Sequence, residues 1–220
     1  MKYQVRKAAA APALDAAWDS ADWNSLPTMR IVNARPESSD HRPFAELKLQ
    51  YTDAGFFGLF QVQDHYVRCV AEHFNDQVCR DSCVEFFVAP PLPGYFNLEM
   101  SCGGMILLYY IKDHTRTGDG LKDYTPVRDE WMREVKIFHT LPEKIDPERV
   151  GPVTWRLGFH LPFDLLRHFG DFATPKAGDF WRANAYKCGD RTSHPHWLSW
   201  NPVRALNFHL PEDFGVLEFL

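Results

Sequence analysis

A two-residue alternation of apolar and polar side chains constrains this chain more than any other feature of its sequence. The alternation is clearest from Arg80 to Ser101, where two such segments flank the connection A-P-P-L-P-G. One parity is apolar throughout: Val84, Phe86, Val88, Phe96, Leu98 and Met100. Because successive side chains of a strand point to opposite faces, this pattern predicts a hairpin with one apolar face. If its turn centres near Leu92, Glu85 lies opposite or diagonal to Glu99 on the other face.

Similar segments recur along most of the chain. We expect a hairpin from A-E-L-K-L-Q-Y-T and F-F-G-L-F-Q-V-Q-D, and strands over 134–140, 154–161 and 180–187. A short helix is predicted to begin at Pro162 and to end at Gly170.

Two stretches lack this alternation. Residues 1–40 are predicted to be largely irregular, and the polar stretch from Asp113 to Glu130 is predicted to be an exposed loop. The chain is therefore predicted to be all-β: a two-sheet antiparallel, jelly-roll-like β-sandwich of about ten strands with one short helix. A single domain is expected over residues 1–220.

The charge balance makes some partners improbable on physical grounds. The 220 residues carry a formal net charge of -5 at pH 7, and the lysines and arginines are scattered. Without a basic patch there is no field for phosphate backbones, so nucleic acid is not an expected partner.

The longest apolar run, 105–111, has the length of a buried strand, so no membrane partner is expected. No secretory signal is evident, which predicts a cytoplasmic protein as written, or a secreted or periplasmic protein after signal removal.

The five cysteines are odd in number and have no repeated spacing. This predicts mostly reduced thiols rather than a disulfide framework, although Cys83 and Cys102 could meet across the hairpin. Two zinc-ligand sets can be weighed: Cys79 with Cys83, and Cys188 with His194 and His196. Neither has a second matching pair, so buried thiols and loop histidines are expected and no metal site is predicted.

Polar side chains occupy the non-apolar parity of several predicted strands: Glu85, Asn97, Glu99, Arg156, His160, Arg182, Asn184 and Tyr186. If these strands are neighbours, the side chains form a patch that suits sugar hydroxyls, each of which donates and accepts hydrogen bonds. The like charges of Glu85 and Glu99 then need an arginine, a cation, a shared proton or a ligand's hydroxyls beside them. The alternative is an ordinary polar sheet face with weak ion pairs.

Two tryptophans lie in the proline-bounded segment H-P-H-W-L-S-W-N-P. Trp197 and Trp200 could be stacking platforms for a ligand or lids on the sandwich. The stretch from Asp113 to Asp123 offers oxygen ligands but lacks the full pattern of a calcium loop. No cofactor is therefore predicted, with calcium left open.

Several segments together resemble one family. D-S-C-V-E-F-F-V-x-P with Y-F-N-L-E-M-S-x-x-G, then G-D-x-W-R-A-N-A-Y-K and a terminal F-H-x-P-x-x-F-G-x-L-x-F, resemble the carbohydrate-binding module family 9-like group. Its β-sandwich is related to the DOMON sugar- and haem-binding domains. The resemblance covers most of the chain, from Asp22 to the end. It implies a sugar end held between two aromatic rings and charged side chains, with structural calcium nearby.

Carried over residue by residue, the family's acidic ligand falls on Glu85 and one of its aromatic platforms on Phe208. The other platform falls near Cys79, where this chain has no ring, and a family arginine falls on Glu99, which reverses the charge. The polar patch and the resemblance together predict these ligand-binding residues: Glu85, Asn97, Glu99, Arg182, Asn184, Tyr186, Trp197, Trp200 and Phe208.

The leading hypothesis is non-catalytic binding of a mono- or oligosaccharide within carbohydrate catabolism. The first alternative is an O-glycosyl hydrolase in which Glu85 and Glu99 act as a retaining pair. The second is a haem- or protein-binding sandwich of the DOMON type, for which only His160 and Met100 suggest themselves as haem ligands.

Overall fold

The predicted alternation folds into strands along most of the chain. The computed structural model describes residues 1–118 and 120–220, and in that part it has fourteen β-strands and two short α-helices. The strands are β1 (Lys2–Lys7), β2 (Met29–Ile31), β3 (Asn33–Ala34), β4 (Phe44–Thr52), β5 (Gly55–Cys69), β6 (Cys83–Ala89), β7 (Tyr95–Ser101), β8 (Ile106–Thr117), β9 (Gly120–Pro126), β10 (Lys136–His139), β11 (Ile145–Pro162), β12 (Phe180–Cys188), β13 (Trp197–Ser199) and β14 (Gly215–Phe219). The helices are α1 (Asp129–Met132) and α2 (Phe163–Arg167). No helix in the described part is long and apolar enough to cross a membrane.

The strands form two sheets that face each other. Sheet I has the order β9-β8-β7-β6-β12-β14, and sheet II has the order β10-β11-β5-β4. Strand β1 joins them, because Lys2–Val5 pair with β14 and Arg6–Lys7 pair with β4. Both of these pairings are parallel, so the sandwich is antiparallel except at β1.

Apolar side chains from both sheets meet in one core. Phe86 of β6 lies 5.5 Å from Phe56 of β5 and 5.6 Å from Phe159 of β11, measured between ring centroids. The apolar parity of the β6–β7 hairpin points into this core, as predicted. The β-sandwich prediction is therefore confirmed.

The number of elements differs from the prediction of about ten strands and one helix. Strand β1 was not predicted, because it has only two apolar side chains, Tyr3 and Val5, and its other residues are polar or charged. The stretch from Asp113 to Glu130 is not one exposed loop: β8 continues to Thr117, and β9 and the start of α1 follow. Its outer strands lie at a sheet edge, where few side chains are buried, so the apolar pattern fades. Asp119 falls outside the described residues.

The outer face of sheet I is also covered. Residues 203–214, here called the covering segment, pack over β6, β7 and β12. They form a second buried cluster with Phe87 and Tyr95, and they bring Phe208 and Phe214 to it. The polar face predicted for the hairpin therefore lies under this segment rather than in open solvent.

Candidate functional site

The β6–β7 hairpin places two carboxyl groups side by side. Glu85 is the direct cross-strand neighbour of Glu99, as the alternation predicted. Both are buried, with 2% and 6% of their surface exposed. Directly opposed residues on a sheet lie close enough for their charges to repel, so this pair needs local compensation.

The two carboxyl groups line a pocket of about 240 Å³ under the covering segment. Its walls come from the hairpin, from β8, from the end of β12 and from the covering segment. The lining residues are Cys79, Glu85, Glu99, Arg116, Cys188, Asp190, Trp197, Leu206, Asn207, Phe208 and His209.

The compensation is local and is made by neutral groups. The Cys188 thiol donates to Oε1 of Glu85 at 3.1 Å, and the Asn97 amide donates to Oε1 of Glu99 at 2.9 Å. Burial is the largest influence on both acids: it raises the pKa of Glu99 to about 7 and that of Glu85 well above its usual range, with the charge of Glu99 adding to the latter shift. Near neutral pH the pair is therefore able to share a proton.

Neither Arg182 nor Arg156, the two arginines of the predicted polar patch, lies beside the acid pair. Arg182 lies opposite Ala89 on β6, and its guanidinium donates to the carbonyl oxygens of Phe214 and Gly215. Arg156 belongs to sheet II, where its guanidinium donates to the carbonyl of Ala16. The cation that lines the pocket is Arg116 of β8, whose Nη2 donates to Oδ1 of Asn207 at 3.2 Å.

Two aromatic rings wall the pocket. Phe208 is stacked on Tyr186 with ring centroids 4.0 Å apart, and the Tyr186 hydroxyl donates to the Phe208 carbonyl at 3.1 Å. Trp197 is half-buried, and its indole N–H donates to Oδ1 of Asp190 at 2.7 Å. Tyr186 is fully buried, so it supports the Phe208 ring from behind and does not itself line the pocket.

Two other predicted residues lie away from the pocket. Trp200 is buried in the main core and packs edge-to-face with Tyr3, so of the two alternatives it is a lid on the sandwich. Asn184 bonds the backbone of Asn201 through its amide and its carbonyl, and so it anchors the start of the loop that leads to the covering segment. Both positions are structural in this fold.

The structure adds seven pocket residues that the sequence did not mark as ligand-binding: Cys79, Arg116, Cys188, Asp190, Leu206, Asn207 and His209. Five of them lie outside the strands, where alternation carries no information. Arg116 lies in the stretch that was predicted to be an exposed loop. The sequence did carry a signal for Cys188: it has the same parity as Tyr186, so the two side chains lie on the same face of β12.

The five cysteines are free thiols, all within the described part. Cys83 does not bridge to Cys102; its cross-strand neighbours are Ser101 and Cys188. Neither zinc set is assembled among the described residues, where the one close group of metal-ligand atoms is Cys83, Glu85 and Cys188. Both ring nitrogens of His196 have other partners, since Nε2 accepts from Lys187 at 2.7 Å and Nδ1 donates to the His194 carbonyl at 2.8 Å.

The residues considered for calcium and for haem have other partners in the structure. The Asp113 carboxylate forms an ion pair with the Lys122 ammonium at 2.8 Å. Lys122 and Thr115 together hold the pKa of the Asp113 carboxyl below its usual range. His160 stacks on Phe57 in sheet II, whereas Met100 is buried in the core from sheet I, so they do not face a common haem site.

Comparisons with known proteins give a consistent family. A family model described as Carbohydrate-binding family 9 matches residues 15–219. The chain is similar to a presumed carbohydrate-binding protein from Bacteroides uniformis, with 27% identity, a TM-score of 0.87 and coverage of 100% of this chain and 99% of that one. A search of curated proteins gave no match.

Two further solved structures share the fold at lower identity. They are a family 9 module from Caldicellulosiruptor kristjanssonii in complex with glucose and the same kind of module in complex with cellotriose. The identities are 10% and 12%, the TM-scores 0.66 and 0.65, and the coverage 100% of this chain with 96% and 93% of those chains. The match over nearly the whole sequence decides the assignment: this chain belongs to carbohydrate-binding family 9.

Proposed function

We propose that this protein binds a sugar or the end of an oligosaccharide, without turning it over, in the pocket between Glu85, Glu99, Trp197 and Phe208. The observation that carries the proposal is the combination of two ring walls with a buried carboxyl pair at one pocket of a family 9 fold. Membership of the family supports the class of ligand, and the geometry supports this pocket as the place where it binds.

The chemistry of the pocket suits a polyol. A sugar ring presents apolar C–H faces that stack on aromatic rings, and hydroxyls that both donate and accept. Glu85 and Glu99 line the pocket with carboxyl groups, and Asn207 and Arg116 line it with an amide and a guanidinium. The volume of about 240 Å³ is suited to one sugar ring or a little more.

The geometry disfavours hydrolysis by the same acids. A retaining glycosidase needs its two carboxyl groups on either side of the scissile bond. Glu85 and Glu99 are instead adjacent on one hairpin face and approach a ligand from the same side. We therefore expect binding without release of reducing sugar from aryl glycosides.

Titration calorimetry tests the proposal with glucose and cellotriose, the ligands bound by the two family modules, as first probes. Trp197→Ala and Phe208→Ala are each expected to weaken binding by about tenfold, since each removes a stacking face. Phe180→Ala is the matched control, because Phe180 is an aromatic residue that is 58% exposed and lies outside the pocket. Absence of heat with a panel of neutral and charged sugars, or an equal loss in the Phe180→Ala variant, would contradict the proposal.

A further inference from the structure

The pocket has an excess of acid. Three carboxyl groups line it, from Glu85, Glu99 and Asp190, against the single guanidinium of Arg116. Glu85 and Glu99 are almost fully buried, whereas Arg116 is exposed at the rim. A solvated rim charge is a weak partner for buried acids, because water screens it.

Among the described residues, no other lysine or arginine lines the pocket. His209 lines it, but burial lowers the pKa of its imidazole to about 3, so the ring is neutral at physiological pH. Its Nδ1 is already bonded to the Tyr95 hydroxyl at 2.8 Å. Lys187 lies on the other face of β12, where its ammonium pairs with Asp64.

The internal hydrogen bonds to the acid pair come from neutral groups only. Cys188 gives Glu85 a thiol donor, and Asn97 gives Glu99 an amide donor. Asp190 accepts the Trp197 indole N–H, which is likewise uncharged. Neutral donors leave the acids either protonated or dependent on a cation from outside.

We propose that the pocket prefers sugars that carry a protonated amine, the hexosamine class, over their neutral counterparts. This rests on the proposed function, because it names the sugar class for the same site. An ammonium group supplies three donors and one positive charge, which is what the two opposed carboxyl groups lack. Hydrogen bonds between charged partners are about twice as strong as those between neutral ones.

Titration calorimetry at about pH 7 with D-glucosamine, D-glucose and N-acetyl-D-glucosamine tests this without any variant. We expect glucosamine to bind roughly tenfold more tightly than glucose. N-acetylglucosamine is expected to lose that advantage, because acetylation removes the charge. Repeating the titration in buffers of different ionisation enthalpy should show proton release on binding glucosamine and none on binding glucose, because the arriving cation ionises the acid pair.

Variants locate the effect. Glu99→Gln keeps the shape of the side chain and removes its charge, so the preference for glucosamine over glucose should become smaller, and in the double variant Glu85→Gln with Glu99→Gln the two sugars should bind with similar affinity. Glu130→Gln is the control, since Glu130 is an exposed acid of α1 outside the pocket. Circular dichroism and thermal unfolding establish that Glu99→Gln is folded.

The outcomes separate this proposal from the one on which it rests. Glucose binding that equals or exceeds glucosamine binding, with Trp197 and Phe208 still required, overturns the amine preference and leaves sugar binding standing. No response to any sugar overturns both. If calcium chloride stabilises the wild type but not Glu99→Gln, and competes with glucosamine, a metal ion is the cation that the pocket takes, and the amine preference is overturned.

Discussion

The ammonium group of Lys187 lies 3.3 Å from the carboxylate of Asp64, and both side chains are completely buried between the two sheets. Lys187 comes from β12 of sheet I and Asp64 from β5 of sheet II. Two histidines complete the group: His41 Nε2–H donates to Asp64 at 2.8 Å, and Lys187 donates to His196 Nε2 at 2.7 Å. This ionic contact ties the sheets together at one end of an otherwise apolar core.

Replacing one partner of this ion pair is expected to lower the free energy of unfolding more than replacing both partners. Lys187→Met leaves the Asp64 carboxylate buried without its cation, which should lower the free energy of unfolding by about 3–5 kcal/mol. The double variant Lys187→Met with Asp64→Leu removes both charges, and it should recover much of that loss. Urea unfolding of the double variant and of the two single variants, Lys187→Met and Asp64→Leu, measures the difference. If the double variant is as unstable as the sum of the two single variants, the ion pair is not coupled across the sheets.

His196 makes the stability of the fold depend on pH. Its Nδ1–H donates to the His194 carbonyl at 2.8 Å and its Nε2 accepts from Lys187, so the ring is held neutral. Burial first, and then the charge of Lys187, lower its pKa to about 3. In the unfolded chain the pKa of this histidine is near 6.5, so below that pH the unfolded state binds a proton that the folded state does not. The stability provided by the neutral ring is therefore present above about pH 6.5 and is lost as the pH falls.

The expected result is a difference between wild type and His196→Gln that shrinks from about pH 7 to about pH 5, by up to about 1.4 kcal/mol per pH unit. Urea unfolding across this range measures it, with His73→Gln as the control because His73 is exposed. A constant difference would show that His196 is not held neutral. Asp64 acts in a lower window: burial alone would raise its pKa, but Lys187 and His41 outweigh burial, so its contribution is lost below its usual value of 3.8.

The acid pair acts on stability in the opposite direction. Burial raises the pKa of Glu99 to about 7, so the folded state holds its proton more tightly than the unfolded chain, whose ordinary value is 4.5. That contribution is present at low pH and is lost as the pH rises through about 7. Glu99→Gln is therefore expected to gain stability relative to wild type between about pH 4.5 and pH 7, by up to about 1.4 kcal/mol per pH unit. Chemical denaturation with Glu130→Gln as control measures the gain, and no pH dependence in the difference would contradict it.

The alternation was enough to predict the hairpin and the opposition of Glu85 and Glu99, because strand period and a short turn fix the register. It was not enough for Arg182. Arg182 has the same parity as Tyr186, the residue that pairs with Glu85, but it lies four positions away along β12. Four residues of a strand span about 13 Å, so its guanidinium is too far along the strand to neutralise Glu85. Parity places a side chain on a face, whereas distance along the strand depends on a register that only the paired strand supplies.

The different locations of Trp197 and Trp200 could have been predicted from their parity in the sequence. Trp197 and Trp200 differ in parity, so a strand through this segment puts them on opposite faces. The chain does this over β13 and the residue that follows it: Trp197 reaches the pocket, and Trp200, whose backbone N–H donates to the Ala185 carbonyl, reaches the core. The covering segment could not be predicted in the same way, because it is irregular and its position depends on packing against Tyr186 and Phe87.

The stack between Tyr186 and Phe208 gives the last prediction. The Tyr186 hydroxyl is a buried donor to the Phe208 carbonyl, so it sets the position of that ring without touching the pocket. Tyr186→Phe keeps the stacked ring and removes this hydrogen bond, which should cost about 1 kcal/mol of stability and weaken sugar binding a few-fold. Tyr186→Leu also removes the ring behind Phe208, and its effect on binding should approach that of Phe208→Ala. Titration calorimetry and urea unfolding measure both effects, with Tyr124→Phe as the control because Tyr124 is exposed at the sheet edge. Unchanged sugar affinity in Tyr186→Leu would mean that Phe208 does not hold the ligand, since its ring would have lost its support without consequence.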